Sequence, residues 1–560
     1  MLRIVWLDVN ASHSHSSLAL PILHRSCESL PCEWHVVPHS LKTDPAHTAC
    51  RIVDLRPDVV LATLYLFTRR TVLDVLVRAK KLYPDCFVVV GGPECLGDNR
   101  DLVAGACGVD AAVRGEGDLA LPALLQARIR GEDCTRLSGF CLQTPQGTYV
   151  DNGYAEKAEN PFACQTPLGK DPFFKTAGPF AILETARGCP GKCMFCTSCG
   201  DLPVRNRPLE DVEGELRELC ATGIREIRVL DRTFNLVPDR SCSLLRLFRT
   251  QFPDTRFHLE IHPEFLTPRE QRELAEFAPG KLHLEIGIQC TEEQVLHSVH
   301  RGQSANKALE GLAFLTSLPG VQTHTDLIAG LPGQTWQHVL QDVLTMLQAA
   351  PDEIQLEVLK VLPGTPLDEQ KEVLGLVSSP VTPYEILRTD TMMATEVLQA
   401  KRLSRLLDEY YNESSLRIAF ILLVRQIADL AHLLRWHECT SPEMQPRALE
   451  KRFQSLFTLA EGHEDLRDEL RMGWMGRGFS PTHGICDASV WKHSVPIHAE
   501  KLWDDTDTAD TTRLRVWHVF LDEGEAWFAY NRGKSQHRPV AAWTTRRNGV
   551  RQNKRNENET

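Results

Sequence analysis

The 560-residue sequence lacks any hydrophobic run long enough to cross a bilayer. Its longest apolar stretches, Val59–Phe67 and Ala419–Val424, fall far short of the roughly 18 residues that a membrane span requires. The apolar run at the N-terminus stops at Asp8, which is typical of a first strand and not of a signal-peptide core. We therefore expect a soluble, cytoplasmic protein with no membrane partner.

Long blocks of one charge are also missing. The chain has 62 Lys and Arg against 74 Asp and Glu, a net charge of −12, and both signs are spread along it. A nucleic-acid coat or a membrane-surface binder would need a basic excess. Only the tail 544–560 is rich in basic residues, and such polar tails are usually solvated and disordered. We do not expect a nucleic-acid partner.

The cysteines do not form a disulfide framework, although there are eighteen of them. Most stand alone, in a chain long enough to fold around its own core. The apolar share of 42% is ordinary for a globular protein, which excludes a wholly disordered or fibrous chain. One group stands apart from the scattered cysteines: Cys189, Cys193, Cys196 and Cys199.

The first 135 residues alternate short apolar strands with helix-length segments. The predicted strands are Leu2–Leu7, Val59–Ala62, Phe87–Val90 and Ala111–Val113. This alternation predicts an α/β domain with a doubly wound, Rossmann-like parallel sheet over residues 1–135.

Four loops of this predicted domain follow the carboxyl ends of its strands. They are Asn10–Ser17, Thr63–Tyr65, Gly91–Glu94 and Arg114–Asp118. Ligands of such sheets bind at this edge, where glycine lets the backbone come close. The alternative is that these glycines only make tight turns.

A second βα series is predicted over residues 181–370, after a connecting segment at 136–180 that holds a hairpin at 139–150. Six βα units fit a partial (β/α)6 barrel better than a flat sheet. The predicted strands are Ala181–Ala186, Glu226–Leu230, Phe257–Ile261, Leu282–Ile288, Thr323–Ile328 and Glu353–Leu359.

The region 380–543 is predicted to be a mostly helical accessory domain, followed by the disordered tail at 544–560. Helices are expected at Glu385–Tyr411 and Leu416–Leu434, and a strand pair at Arg513–Asp522 with Ala526–Tyr530. No residue pattern in this region points to a particular chemistry.

Three of the grouped cysteines have the spacing C-x3-C-x2-C: Cys189, Cys193 and Cys196. They directly follow the first strand of the second series, and this places them at the mouth of the predicted barrel. A structural zinc usually takes four ligands as two separated pairs, whereas three close thiolates suit an iron–sulfur cluster. Three ligands on four irons leave one iron open for chemistry. Cys199 falls outside this pattern, and we interpret it as a bystander.

This spacing, with Phe195 just before the third cysteine, resembles the signature of the radical S-adenosylmethionine (radical SAM) superfamily. The resemblance continues in the same order through Val229–Asn235, Leu284–Gln289, Asp326–Gln334 and Val361–Pro366. It covers about residues 181–370.

The resemblance implies that Cys189, Cys193 and Cys196 ligate a [4Fe–4S] cluster whose fourth iron is chelated by S-adenosylmethionine (SAM). It also implies that no side chain acts as the catalytic acid or base, because the cofactor carries the electron chemistry. An internal ion pair is the alternative for the two carboxylates among the implied SAM contacts. The implied SAM contacts are Phe195, Asp231, Glu285, Gln289 and Gly330, while Gln334 stands where family members often have Glu.

The first domain resembles the cobalamin (B12)-binding subclass, on the stretches Val88–Glu94 and Val113–Asp118. The stretch Asn10–Leu20 and the region after Pro380 are similar to one uncharacterised branch of that subclass. No Asp-x-His-x-x-Gly pattern occurs in the first 125 residues, and we expect no cobalt-ligating histidine from this domain. The cobalamin contacts implied by the resemblance are Asn10, His15, Tyr65, Gly91, Gly92, Glu94, Arg114, Gly115 and Glu116.

The leading hypothesis is a cobalamin-dependent radical SAM methyltransferase that acts on an unknown substrate with an electron donor such as flavodoxin or ferredoxin. A tRNA methylthiotransferase shares the barrel type, but it would need a second cluster in the first domain and an RNA-binding β-barrel at the C-terminus. The N-terminal cysteines lack a cluster spacing. A non-catalytic iron–sulfur or cobalamin sensor is the third hypothesis, and the intact later strands argue against it.

Overall fold

The computed structural model describes residues 1–10, 17–163, 168–174, 180–302, 304–427, 429–442, 445–491, 495, 499–504, 514–521, 524–531, 538–539 and 541–545. The predicted contact His15 lies outside these residues, and so does the predicted tail from residue 546 onward. The chain divides into two compact units. One contains 1–323, 328–339 and 358–397, and the other contains 324–327, 340–357 and 398–560.

A seven-stranded sheet with the spatial order β2-β1-β3-β4-β5-β6-β7 occupies residues 2–151. Strands β1 to β5 pair in parallel, as predicted, and the last two add an antiparallel hairpin. The strands are β1 (Leu2–Asn10), β2 (Cys32–Ser40), β3 (Val59–Thr63), β4 (Phe87–Gly91), β5 (Ala111–Val113), β6 (Phe140–Gln143) and β7 (Tyr149–Asp151). The helices are α1 (Ala19–Ser26), α2 (Pro45–Asp54), α3 (Arg69–Leu82), α4 (Arg100–Val103) and α5 (Gly117–Arg130).

Both faces of this sheet are buried. Val5 and Leu7 of β1 belong to one apolar core, and Ile4 and Trp6 belong to a second. Alternate residues of a strand point to opposite faces, so a strand covered on both sides reads as a continuous apolar run. This is why the central strands were predictable.

Two parts of the sheet differ from the sequence prediction. Strand β2 is absent from that prediction because it contains Pro38 between histidines, but β2 is an edge strand, where proline is tolerated. The hairpin of β6 and β7, predicted to lie in the connecting segment, extends the sheet instead. Cys141 pairs with Ala112 of β5, so the sheet reaches Asp151.

A second sheet has the spatial order β15-β14-β13-β12-β11-β8. Its first four strands along the chain pair in parallel, as the partial barrel requires. The strands are β8 (Phe180–Leu183), β11 (Glu226–Val229), β12 (Arg256–Ile261), β13 (Leu282–Gln289), β14 (Val321–Ala329) and β15 (Glu353–Val358), with a separate hairpin of β9 (Ala186–Cys189) and β10 (Asp201–Asn206) after β8. The helices are α6 (Leu209–Ala221), α7 (Pro238–Gln251), α8 (Pro268–Ala275), α9 (Glu293–Ser298), α10 (Ala305–Ser317) and α11 (Trp336–Ala349).

After β15 the chain forms short elements and then a helical region. The elements are α12 (Pro366–Gln370), β16 (Val377–Ser378), β17 (Ile386–Arg388), α13 (Ala394–Leu406), α14 (Arg417–Ile427), α15 (Leu430–Thr440), α16 (Leu449–Leu459) and α17 (Glu464–Gly476). A five-stranded sheet follows, with β18 (Ser489–Trp491), β19 (Glu500–Asp504), β20 (Leu514–Leu521), β21 (Gly524–Asn531) and β22 (Ala541–Thr544).

The helix predicted from Glu385 begins only at Ala394. The residues before it form β17, because the Ile386 amide donates to the Leu359 carbonyl and Ile386 pairs with Ser378 of β16. The predicted strand pair is confirmed as β20 and β21. The longest helices among the described residues have 14 residues, and none could cross a bilayer.

We expect Gly364→Ala to destabilise the protein more than Gly223→Ala. Both glycines have positive φ, +73° and +93°, so either substitution strains the backbone by about 1–2 kcal/mol. A Cβ on Gly364 would also overlap the Leu96 backbone, whereas nothing lies within 4 Å of one on Gly223. That overlap adds roughly 1–3 kcal/mol. Urea unfolding of the two variants measures the difference, and equal midpoints would contradict the prediction.

Candidate functional site

The four grouped cysteines lie on one loop that a β-hairpin closes. Strand β9 ends at Cys189, which pairs with Asp201 at the start of β10. At the base of the loop, the Gly200 amide donates to the Gly191 carbonyl at 2.7 Å. All four thiols are free and half-buried. The hairpin therefore places the three predicted ligands on one short loop.

Backbone hydrogen bonds pin the middle of this loop. The amide of buried Met194 donates to the Val299 carbonyl, and its own carbonyl accepts from the Leu367 amide, both at 3.0 Å. The Cys196 amide donates to the Cys193 carbonyl at 3.1 Å. Phe195, a predicted SAM contact, is half-buried between these anchors. The loop is thus held in place by the protein itself.

Each predicted ligand thiol receives an N–H group. The Gly191 amide lies 3.3 Å from Cys189 Sγ, and the Ser198 amide lies 3.4 Å from Cys196 Sγ. Arg301 Nη1 lies 3.7 Å from Cys193 Sγ. No donor among the residues that the structure describes reaches the Cys199 thiol. Donors of this kind favour thiolates, the form that binds iron, so the loop fits a cluster with three ligands.

Asp231, a predicted SAM contact, fixes the turn that leads into the cysteine hairpin. Its Oδ1 accepts from the Thr185 and Ala186 amides at 2.8 and 2.9 Å, and its Oδ2 accepts from the Thr185 hydroxyl. Burial raises the pKa of this carboxyl to about 6, although the three hydrogen bonds oppose the shift. Both oxygens of Asp231 are already engaged, so its contact with SAM stays a prediction.

Glu285 lies on the face of β13 that is not packed in the core. Its Oε2 is 3.0 Å from Nε2 of His258 on β12, and the His258 ring meets the His283 ring edge-on at 4.5 Å. Glu285 and His258 thus pair with each other inside the protein. An internal ion pair is the alternative to SAM contact that the sequence analysis gives for this carboxylate.

The turn after β14 is held by Gln334. Its Oε1 accepts from the Gly330 amide at 2.7 Å and from the Leu331 amide at 3.2 Å, and the side chain is fully buried. A Cβ on Gly330 would overlap the Ile386 side chain. Packing against Ile386 therefore explains glycine at position 330. A contact between Gly330 and SAM stays a prediction.

Gln289 ends β13 with φ of +67°, a conformation that residues other than glycine rarely adopt. Two residues earlier, a Cβ on Gly287 would lie 2.6 Å from Gln289 Nε2 and 2.8 Å from Arg301 Nη2. The Gln289 amide and the Arg301 guanidinium therefore both lie next to Gly287. Backbone strain of this kind collects at functional sites. Arg301 is missing from the sequence predictions because no motif includes it.

His262, also missing from the sequence predictions, directly follows β12. Its ring stacks on Phe265 with a centroid distance of 4.2 Å. Burial, and then the Arg301 charge, lower the pKa of His262 to about 3. The imidazole is therefore neutral at physiological pH.

A cavity of about 220 Å³ opens at the carboxyl ends of β3, β4 and β5. Its wall is mostly apolar, with Trp6, Leu61, Val90 and Leu121 among the residues that line it. The predicted cobalamin contacts that it brings together are Tyr65, Gly91, Gly92 and Gly115. A mostly apolar cavity of this kind fits part of a bound cofactor.

Other predicted cobalamin contacts are engaged with the protein. Buried Glu94 accepts from the Tyr384 hydroxyl at 2.7 Å, and burial raises the pKa of its carboxyl. Arg114 donates to the Leu96 carbonyl and to Asp151, both at 2.8 Å. The side chain of Asn10 lies outside the described residues. For these residues, cofactor contact stays a prediction.

Arg187 connects the wall of the cavity to the cysteine hairpin. It lies two residues before Cys189, lines the cavity and donates to both oxygens of Asp118 at 3.0 Å. It also donates to both oxygens of Glu184 at 2.9 Å. Burial alone would lower the pKa of the Arg187 guanidinium, but its acidic partners outweigh burial and raise it.

A second arginine reinforces this connection. Arg205 of β10 donates through Nη1 to Oε2 of Glu116 at 2.9 Å, and Arg187 lies 3.5 Å from the same oxygen. Glu116, a predicted cobalamin contact, is therefore used to hold the hairpin against the loop that follows β5.

The two glycines at the end of β4 have different roles. Gly92 has φ of +102°, and a Cβ there would lie 2.7 Å from Thr63 Cγ2 and 2.8 Å from the Leu64 carbonyl oxygen. On Gly91 the nearest atom to a Cβ would be Val113 Cβ, at 3.6 Å. Gly92 is thus required by the neighbouring strand, whereas Gly91 leaves room in the cavity.

Two protein-family models match the two parts of the chain that carry the cysteine hairpin and the cavity. The Radical SAM superfamily matches residues 183–346, and the B12 binding domain matches residues 6–125. The chain therefore contains a radical SAM domain and a B12-binding domain. These domains imply a [4Fe–4S] cluster, SAM and cobalamin as its cofactors. A further family, a protein of unknown function (DUF4080), matches residues 372–431 of the enzyme.

The enzyme is similar to several methyltransferases. An uncharacterized methyltransferase of Pyrococcus horikoshii is 24% identical over 377 residues, which cover 64% of this chain and 79% of that protein. The cobalamin-dependent radical SAM methyltransferase TokK of Streptomyces tokunonensis is 23% identical over 350 residues, 59% of this chain and 51% of TokK. The alignment thus spans about half of TokK.

A tRNA-modifying enzyme aligns with a smaller part of the chain. A tRNA-2-methylthio-N(6)-dimethylallyladenosine synthase of Chlorobium phaeovibrioides is 30% identical over 199 residues, 32% of this chain and 43% of that protein.

Among solved structures, the cobalamin-dependent SAM radical enzyme OxsB, with aqua-cobalamin and SAM bound, has a TM-score of 0.56 at 14% identity. That alignment covers 84% of this chain and 79% of OxsB, and it shows a shared fold.

We expect Cys193→Ala to abolish the cluster and Cys199→Ala to retain it. Cys193 receives the Arg301 N–H group, whereas no described donor reaches Cys199. After anaerobic reconstitution, wild type and Cys199→Ala should hold about four irons and show the same absorption spectrum. A cluster lost in Cys199→Ala and kept in Cys193→Ala would contradict the ligand assignment.

We expect Gly91→Val to weaken hydroxocobalamin binding at least tenfold, about 1.4 kcal/mol, because the new side chain would fill the cavity. Gly214→Val is the matched control, since Gly214 lies on α6 with nothing within 4 Å of a Cβ. Equilibrium binding followed by the cobalamin spectrum compares them. Unchanged affinity in folded Gly91→Val would rule out this cavity as the cobalamin site.

Proposed function

We propose that the enzyme methylates an unactivated centre of its substrate, with SAM cleaved reductively at a cluster on Cys189, Cys193 and Cys196 and with cobalamin at the carboxyl edge of the first sheet. One observation carries this proposal. Arg187 lines the cavity and lies two residues before the first cysteine of the cluster loop. Two cofactors bound at these places would therefore be close neighbours.

When bound, the cluster with SAM supplies a radical that can take hydrogen from an unactivated carbon, and cobalamin supplies a carrier for the methyl group. The protein positions these groups and keeps water from them. Trp6, Leu61 and Leu121 give the cavity an apolar interior. No histidine occurs among the described residues that line it. That this domain supplies no ligand to cobalt stays a prediction.

The tRNA methylthiotransferase alternative requires a second cluster in the first domain. Cys86 and Cys95 are buried in the core on one face of the first sheet, and Cys27 is buried in the core on the other face. Thiols separated by a sheet cannot converge on one cluster.

The partners follow from the chemistry. Reductive SAM cleavage needs a one-electron donor, and flavodoxin or ferredoxin would supply it. Free cysteines throughout the described chain suit the reducing cytoplasm. Methyl transfer to the substrate is part of the proposal.

The decisive experiment uses reconstituted enzyme with cobalamin, a strong reductant and SAM labelled on its methyl group. We expect slow formation of 5′-deoxyadenosine without substrate, because nearby hydrogen donors quench the radical. We also expect the label to appear on the bound cobalamin, with one S-adenosylhomocysteine released for each methyl group. Cys193→Ala is the control for cluster-dependent cleavage.

The alternatives predict other outcomes of this experiment. Stoichiometric SAM binding with neither product under any reductant would favour the sensor. Cleavage of SAM with no label on cobalamin would indicate a radical enzyme that does not transfer methyl groups.

A further inference from the structure

Three side chains of metal-binding types meet at the end of α1: His24, Glu28 and Asp171, here called the His24 group. One nitrogen or oxygen atom of each lies within 4.8 Å of the others. His24 is in the last turn of α1, and the chain keeps turning after the helix, because the Glu28 amide donates to the Arg25 carbonyl at 3.2 Å. Residues four positions apart on such a turn share one side. His24 and Glu28 therefore both approach Asp171.

The His24 group lies away from the cofactor edge of the first sheet. The His24 ring meets the Trp34 ring edge-on, with centroids 5.3 Å apart. Trp34 pairs with Ile4 near the amino end of β1, whereas the cavity opens at the carboxyl ends of the strands. None of the three side chains lines that cavity. The group is therefore separate from the residues predicted to contact cobalamin, SAM or iron.

Asp171 has a buried carboxylate. Its side chain is 0% exposed, its Oδ1 accepts from the Phe173 amide at 2.8 Å, and its Oδ2 lies 2.7 Å from His24 Nδ1. Outside the His24 group, this Oδ2 has no hydrogen-bond partner among the residues that the structure describes. No lysine or arginine of the described chain forms an ion pair with Asp171 or Glu28 either. A buried charge requires a partner of opposite sign.

His24 alone does not balance the charges of this group. A protonated imidazole supplies one positive charge, whereas the two carboxylates carry two negative charges and repel each other at this distance. Glu28 also follows the C-terminal end of α1, where the helix dipole favours a cation and disfavours an anion. A divalent cation between the three side chains would remove both costs.

The donor atoms suit a divalent transition-metal ion. Imidazole nitrogen and carboxylate oxygen bind such ions at about 2.1 Å, so that two ligand atoms lie at most about 4.2 Å apart. Glu28 is exposed, and a rotation of its side chain brings it within that limit. The other two ligands are already oriented. Phe173 holds Asp171 through its amide and packs its ring edge-on against His24 at 4.8 Å, as the outer partners of metal ligands do.

We propose that the His24 group binds one divalent transition-metal ion, which ties the connecting segment 168–174 to α1. Asp171 belongs to that segment, 147 positions after His24, so the ion would cross-link distant parts of the chain. Helix α1 also supplies Leu23 to the wall of the cavity, and the ion would fix the end of this helix. The inference does not depend on the proposed function.

The test measures Mn²⁺ binding to the untagged full-length protein with its iron–sulfur cluster oxidised. Mn²⁺ is the probe because it favours carboxylate ligands, whereas Zn²⁺ would also bind the many thiols. The electron paramagnetic resonance signal of free Mn²⁺ follows an equilibrium titration. His24→Phe removes the nitrogen but keeps a ring beside Trp34, and Glu28→Gln removes a charge at an exposed position. Asp85→Asn is the control, because Asp85 is an exposed carboxylate elsewhere in the first domain.

We expect wild type and Asp85→Asn to bind one Mn²⁺ with equal affinity, and His24→Phe and Glu28→Gln to bind it at least tenfold more weakly. Mn²⁺ should also raise the urea midpoint of wild type and not that of Glu28→Gln, since an ion that binds only the folded chain stabilises it. If His24→Phe does not fold, the exposed Glu28→Gln decides.

Two results would overturn the proposal. One is the absence of Mn²⁺ binding to wild type, and the other is equal affinity in wild type and Glu28→Gln. Either result would leave His24 as the protonated partner of Asp171, with no metal. Cys193→Ala should bind Mn²⁺ as wild type does, so failure of the proposed function is seen separately.

Discussion

The ion pairs of Arg187 hold together the two halves of the site. One guanidinium binds Asp118 of the first domain and Glu184 at the end of the first barrel strand, and it lies near Glu116. Removing Arg187 from this half-buried network would leave Asp118 and Glu184 without their cation, at a cost of about 3–5 kcal/mol. Because Arg187 is part of β9, the position of the cysteine loop depends on these pairs.

Glycines serve two different purposes around this network. At Gly92 and Gly330 the absent side chain lets the protein pack against itself, since a Cβ would meet Leu64 or Ile386. At Gly91 and Gly287 the absent side chain leaves room for a cavity or for a guanidinium. The same residue type therefore marks close packing at one position and a functional opening at another, and only the neighbouring atoms distinguish them.

Many polar residues of the site act as scaffold. Asp231 fixes the turn before the hairpin, Gln334 holds the turn after β14, and Glu94 binds Tyr384. This distribution suits an enzyme whose cofactors carry the chemistry. The protein then has to place three thiols, a cavity and the charges around them, and buried hydrogen bonds provide that rigidity.

The sequence by itself determined the central strands of both sheets and the cluster loop, because these depend on local patterns. A continuous apolar run produces a strand covered on both faces, and a short cysteine spacing puts three thiols on one loop.

Contacts between distant residues were decided only by the tertiary structure. Glu94 meets Tyr384 across 290 positions, and Arg301 meets Cys193 across 108. Strand β2 likewise forms against local propensity, because pairing with β1 and an edge position make Pro38 acceptable. Local sequence specifies which elements form, whereas the partner of a charged or polar side chain depends on which elements the fold brings beside it.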